Sequence, residues 1–146
     1  MNKPHLKVKD LMQSPVYTVN PNDMIDRVFF LLHYEKIRHL PVVEKQKVVG
    51  IVTDRDLYKA LGPKSRSMGV ELVDGEKALH VIPRKVRNIM HRAVVTVGPN
   101  ENAGKAALLM AENKVGALPV TSKGKLDGII TATDILMAFA EHSKNT

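Results

Sequence analysis

Gly50-Ile51-Val52-Thr53-Asp54-Arg55-Asp56 and Gly128-Ile129-Ile130-Thr131-Ala132-Thr133-Asp134 are two versions of one stretch, set 78 residues apart. Each runs glycine, two β-branched residues, threonine, two variable residues and aspartate, and an apolar helical pattern follows. Sliding the chain by the same 78 residues lays Val8 on Val86, Met12 on Met90, Thr18 on Thr96, Pro21 on Pro99 and Leu40-Pro41-Val42 on Leu118-Pro119-Val120. From Val8 to Ala60 this ungapped overlay holds 19 identities in 53 pairs, which marks an internal duplication. Two copies are too few for a solenoid.

With 146 residues in all, each copy alone would have a marginal core, so the copies are expected to bury their apolar faces against each other as one unit. A hydrophobic content of 44% with 25% charged residues is that of an ordinary globular protein. No apolar run approaches the roughly 18 residues of a membrane span. Met1 to His5 lacks the apolar core of a signal peptide, and the chain has no cysteine, so a reducing, cytoplasmic setting is expected. The net charge of +7 directs attention to anionic partners, spread as it is over both copies and the connector.

In the first copy, Val8 to Met12 reads as one helical turn ended by Ser14-Pro15, since proline restricts the residue before it. Val16 to Val19 reads as a short strand, and Asn22 as the N-cap of a helix carrying Ile25, Val28, Phe29 and Leu32 to about Glu35. Its aromatics read as core rather than as platforms for base stacking. His39 to Val43 and Lys47 to Val52 read as strands joined by a polar turn, and Asp54 to Leu61 as a helix stopped by Gly62-Pro63. The second copy repeats the pattern: a strand at Val94–Val97, a helix over about 101–113, strands at 117–121 and 125–130, and a helix from Ala132 to about Glu141. Its long helix carries Ala103, Ala106, Ala107 and Ala111 in place of Ile25, Val28, Phe29 and His33, which predicts a tight helix contact. The predicted fold is thus α/β, two βαββα units each with a leading helical turn, at 8–61 and 86–142. The connector at 62–85 has no counterpart in the repeat; its Val70–Val73 and Ala78–Ile82 stretches could form a short helix or cover the sheet.

A threonine three residues before an aspartate, where a strand gives way to a helix, has two uses. The hydroxyl can accept an orphan amide while the carboxylate reaches back to the cap amide, a capping box. Alternatively, the helix N-terminus offers free N–H groups to a phosphate, and a carboxylate in its first turn can accept both hydroxyls of a ribose. The two coexist if the threonine caps and the aspartate faces a ligand. Pro41 and Pro119 suit an edge or strand start, because proline cannot donate to a sheet ladder. The copies differ here: Arg38, His39 and Arg55 in the first stand against Gly116, Ala117 and Thr133 in the second. Cations suit phosphate, and small residues leave room for a planar base, so two sites of different affinity are expected.

Val-Lys-Asp-Leu-Met at 8–12, Ile-Arg-His-Leu-Pro-Val-Val at 37–43, Gly-Ile-Val-Thr-Asp-Arg-Asp-Leu at 50–57 and their second-copy equivalents resemble CBS motifs. The pair resembles a CBS-pair (Bateman) module over nearly the whole chain, and is similar to stand-alone CBS proteins of the acetoin-utilisation type. The resemblance implies a pseudo-twofold pair of units with two clefts for adenosine ligands, and dimers forming a flat disc. It implies that Thr53 and Asp56 hold ribose and phosphate in one cleft, and Thr131 and Asp134 in the other. Arg38, His39 and Arg55 are the phosphate-contact candidates. The adenine pockets are expected at Val8, Met12, Thr18, Leu40 and Pro41, and at Val86, Met90, Thr96, Gly116, Ala117, Leu118 and Pro119.

The histidines at 5, 33, 39, 80, 91 and 142 have no metal-ligand spacing, and no nucleophile with a base, phosphate-binding glycine loop or catalytic carboxylate pair stands out. No metal site, required cofactor or enzymatic activity is expected. The expected function is a regulatory sensor of AMP, ADP or ATP, with S-adenosylmethionine or NAD as lesser candidates and magnesium as a companion of ATP. Binding between the repeats would signal by conformational change to a partner, the chain acting as a homodimer. The alternative is a basic adaptor for nucleic acid or an acidic protein.

Overall fold

The computed structural model describes residues 6–61, 70–73, 76–79 and 84–144. Helices α1 (Val8–Leu11), α2 (Ile25–Tyr34) and α3 (Asp54–Leu61) belong to the first copy, with strands β1 (His39–Glu44) and β2 (Lys47–Thr53) between α2 and α3. The second copy has a 3-10 turn at Val86–Asn88, then α4 (Ala103–Asn113), β5 (Ala117–Ser122), β6 (Lys125–Thr131) and α5 (Ala132–Ser143). Between the copies lie β3 (Val70–Val73) and β4 (Glu76–Leu79), paired antiparallel with Val70 opposite Leu79. This hairpin replaces the short helix considered for the connector; the stretch Gly62–Gly69 and residues 80–83 lie outside the described residues.

Two-residue turns set both main hairpins. Lys45 and Gln46 have φ of 51° and 68°, and Lys123 and Gly124 have 54° and 82°. Positive φ at both central residues is the turn whose twist matches the flanking strands. Strands at Val16–Val19 and Val94–Val97 are not formed. Each reduces to one parallel bridge, Val19 to Val42 and Val97 to Val120. Pro21 and Pro99 follow closely and supply no donor to extend either ladder. The cap at Asn22 is also corrected: Met24 holds the cap position of α2 without a side-chain bond. The Asn20 Oδ1 instead accepts from the Asn22 amide (2.9 Å) and the Asp23 Oδ2 from the Asn20 amide (2.8 Å), closing a turn before the helix. In α4, Asn102 does cap, accepting from the Gly104 amide at 2.7 Å.

The chain divides into two compact units whose borders do not follow the copies. One comprises the segment up to Val16, Gln46–Val48 and the segment from Val94; the other comprises Tyr17–Lys45 and Val49–Ala93. The expected single core is accordingly two. In the unit with the second copy's helices, Val8 is buried with Val97, Ala106, Met110, Leu118, Val120 and Ile130. In the other, Val86 is buried with Ile25, Val28, Phe29, Leu40, Val42, Val52 and Leu57. The leading segments of the two copies have changed places.

Backbone hydrogen bonds hold each exchanged segment, and every one has a counterpart 78 residues away. The Val8 amide donates to the Glu101 carbonyl and the Val86 amide to the Asp23 carbonyl, both at 2.8 Å. Gln13 exchanges two bonds with Ile129 (2.8 and 3.0 Å), and His91 two with Ile51 (2.9 and 3.0 Å). The motif glycines make this approach possible. A Cβ on Gly128 would lie 2.7 Å from the Gln13 carbonyl oxygen and 2.8 Å from the Met12 sulfur. One on Gly50 would lie 2.7 Å from the Met90 sulfur and 3.0 Å from the His91 oxygen.

Along the helices, Phe29 is buried but Phe30 is 43% exposed, stacked on Tyr34 with ring centroids 5.7 Å apart, so it does not join the core. Of the four alanines expected at a tight contact, Ala103 and Ala106 are buried and Ala111 is exposed.

Candidate functional site

Both motif threonines begin a helix. In α5 the Thr131 hydroxyl oxygen accepts from the Asp134 amide (3.2 Å), and the Asp134 Oδ2 accepts from the Thr131 amide (2.8 Å) and hydroxyl (2.9 Å). In α3 the Thr53 oxygen accepts from the Asp56 amide (3.3 Å), and the Asp56 Oδ2 accepts from the Thr53 amide (2.8 Å) and hydroxyl (3.0 Å). The capping reading therefore holds in both copies. It engages Oδ2 and leaves Oδ1 outside the cap.

In each unit the exchanged segment reaches that oxygen. The Gln13 side-chain amide donates to the Asp134 Oδ1 at 3.1 Å, with a longer branch of 3.4 Å to Oδ2. At the equivalent position, Nε2 of His91 lies 2.7 Å from the Asp56 Oδ1. A carboxylate oxygen can only accept, so the imidazole donates. Asp56 has a side chain only 10% exposed, whereas that of His91 is 64% exposed. Neither Gln13 nor His91 was singled out from the sequence, because the overlay aligns them as a mismatch directly after Met12 and Met90.

The strand before the motif closes on the helix start. The Arg38 carbonyl accepts from the Asp54 amide (3.1 Å), and the Gly116 carbonyl from the Ala132 amide (2.9 Å). This brings Arg38, His39 and Arg55 to one helix N-terminus, and Gly116, Ala117 and Thr133 to the other. Arg38 and Arg55 are exposed; burial pushes His39 below the usual histidine range, opposed by Asp54 and aided by Arg38.

The adenine-pocket candidates divide by burial. Val8, Leu40, Pro41, Val86, Ala117, Leu118 and Pro119 are buried, so their side chains build the cores and only backbone there could meet a ligand. Met12, Met90, Thr18 and Gly116 are partly exposed and Thr96 is exposed. Val8 and Met12 pack in the unit of Thr131 and Asp134, and Val86 and Met90 in that of Thr53 and Asp56, opposite to a copy-by-copy grouping. A pocket of about 260 Å³ adjoins Met90, lined also by Pro21, Glu44, Val49, Arg87 and Arg92. It shares Met90 with the Asp56 site but contains none of Thr53, Asp56 or His91.

Among the described residues no cluster of histidine and carboxylate side chains could hold a metal ion, and no helix is long and apolar enough to cross a membrane.

The CBS domain model matches residues 8–63 and 86–141. The crystal structure of the CBS domain pair of protein MJ0100, in complex with 5-methylthioadenosine and S-adenosyl-L-methionine, is 28% identical, with a TM-score of 0.77 over 95% of this chain and 99% of that one. A putative acetoin utilization protein from Vibrio cholerae is 28% identical, with a TM-score of 0.74 over 98% of each chain. CBSX2 in complex with AMP is 29% identical, with a TM-score of 0.74 over 94% of this chain and 98% of that one. Among curated relatives, the chain spans 90% of one protein of Methanocaldococcus jannaschii, and 33% to 47% of four longer ones. With two matched repeats covering most of its length, the chain belongs to the CBS-domain family, as a pair of CBS repeats.

Proposed function

We propose that the chain is a regulatory module that binds adenine nucleotides, one site in each unit, and passes the bound state to a partner by conformational change. The observation that carries this reading is the divided use of the motif aspartates. Oδ2 of Asp56 and of Asp134 completes the helix cap, while Oδ1 turns toward the exchanged segment. A carboxylate held in that way accepts a ribose hydroxyl without giving up the cap. The positive end of each helix dipole favours phosphate at the helix start, with Arg38, His39 and Arg55 adding cationic and donor groups in one unit. Backbone of the Leu-Pro strand and the flank of Met12 or Met90 take the base. AMP, ADP or ATP fits these donors best, and magnesium would accompany ATP; S-adenosylmethionine and NAD follow. Similar chains crystallised with AMP and with S-adenosylmethionine support the ligand class.

The reading includes a homodimer. Leu136, Met137 and Phe139 of α5 are 66%, 65% and 71% exposed, an apolar surface that a second copy would cover.

Titration calorimetry of ligand-stripped protein with AMP, ADP, ATP and S-adenosylmethionine tests the proposal. Saturable heat that drops on Asp56→Ala or Asp134→Ala supports it. Absence of heat with every one of these ligands overturns it.

A further inference from the structure

His91 and Gln13 occupy equivalent positions in the two repeats and reach the same oxygen of the equivalent aspartate. They differ in one chemical respect: imidazole gains a proton between pH 5 and 8, and a carboxamide does not. Resting on the nucleotide-binding reading above, we propose that His91 makes the Asp56 site pH-dependent, while the Asp134 site, guarded by Gln13, is insensitive to pH over the same range.

The geometry supplies the mechanism. Three hydrogen bonds of the Thr53–Asp56 cap confine Asp56, two of them ending on Oδ2. Oδ1 is thus the oxygen left for a ligand hydroxyl, and His91 already holds it at 2.7 Å. A ligand must displace the imidazole or share the oxygen with it. Neutral His91 donates an ordinary hydrogen bond, whereas protonated His91 forms an ion pair that is shorter and stronger. Acidification therefore locks the oxygen against the ligand, and alkalinisation releases it.

Of the other groups at this helix start, Arg38 and Arg55 keep their charge and burial holds His39 below the usual histidine range, so comparison with His91→Gln separates the switch from them. His91 is 64% exposed, so its ring has room to swing away. Its backbone is pinned to Ile51 of β2 by two hydrogen bonds, so the swing is confined to the side chain. Of the elements around it, β2 brings Ile51, which does not ionise. The first turn of α3 brings Asp54, Arg55 and Asp56, and Arg92 follows in the chain. The Asp54 Oδ1 accepts from the Arg55 amide, which leaves Asp56 as the carboxylate bonded to the ring.

The test is AMP binding by calorimetry at pH 8.0 and 6.0. Asp134→Asn isolates the site of Asp56, Asp56→Asn isolates that of Asp134, and both are compared with His91→Gln and Gln13→His in the full chain. The phosphate of AMP and the nearby His39 contribute equally to the wild type and to His91→Gln, so the difference between those two at the Asp56 site is diagnostic. Affinity of the Asp56 site is expected to fall about tenfold further than that of the Asp134 site on acidification, the effect of displacing one charge-assisted hydrogen bond. His91→Gln should abolish that excess, and Gln13→His should install it at Asp134. Equal pH dependence at the two sites, or an excess that survives His91→Gln, overturns the switch while leaving nucleotide binding intact. Absence of AMP binding at both pH values overturns the switch and the nucleotide reading together. If an asparagine variant does not fold, the pH ratio of wild type against His91→Gln decides alone.

Discussion

The α-carbon of Gly128 faces the carbonyl oxygen of Gln13 so closely that a Cβ there would sit 2.7 Å from it, a distance that neither backbone can absorb without moving. Gly128→Ala should therefore destabilise the protein by about 1–3 kcal/mol, the usual range for overpacking. Gly50→Ala should cost less. Its nearest backbone contact is 3.0 Å, and the closer atom is the sulfur of the flexible Met90 side chain. Urea unfolding of both variants gives the order, and a larger loss for Gly50→Ala would contradict it.

The exchange of leading segments can be read by hydrogen exchange. Val8 and Val86 are fully buried, and trimming either to alanine should cost about 1–2 kcal/mol through lost burial and the space left behind. In Val8→Ala the loosened amides should belong to α4, β5 and β6. In Val86→Ala they should belong to α2, β1 and α3. Protection lost within the mutated residue's own repeat would refute the assignment of cores.

Threonine and aspartate of one motif should separate stability from binding. Thr131→Val keeps shape and removes the hydroxyl that accepts from the Asp134 amide, with an expected loss of about 1 kcal/mol, the usual worth of an N-cap. Its effect on nucleotide affinity should be slight beside that of Asp134→Ala, which removes the carboxylate itself. Calorimetry alongside thermal unfolding of the two variants provides the comparison.

His39 gives a pH dependence of stability with a definite sign. Burial holds its imidazole below the usual histidine range, so between the folded and unfolded values the unfolded chain binds the extra proton. Stability is then complete above the unfolded value, about 6.5, and declines as pH falls toward the folded one. His39→Gln should flatten this decline. Urea midpoints at pH 7.5 and 5.5 for both proteins test it, and an equal decline in the two would rule it out.

The duplication, the hairpins and helices α3 and α5 were legible because each has a local cause: an offset of 78, a polar two-residue turn, or a threonine cap with aspartate three residues on. The exchange had no local cause. Val8 and Val86 are the same residue at the same repeat position, so hydrophobic pattern says that both are buried without saying in which core. Gln13 and His91 were hidden for the opposite reason, since they differ and belong to no motif. The lost strands at Val16 and Val94 show propensity yielding to Pro21 and Pro99, which cannot donate the next rung of either ladder. Phe30 went astray because it neighbours Phe29 on a helix, where adjacent residues point about 100° apart.

The crossed leading segments bear on how such a chain could arise and how it could be taken apart. A polypeptide carrying only one repeat would hold a leading turn that fits the core of its sister, so two such chains would complete each other as an intertwined pair. Duplication joins that pair into one molecule, replacing association between chains with closure within one. Severing the connector should accordingly leave halves that are soluble and folded only when mixed, each lending the other the short stretch that ends in Gln13 or His91.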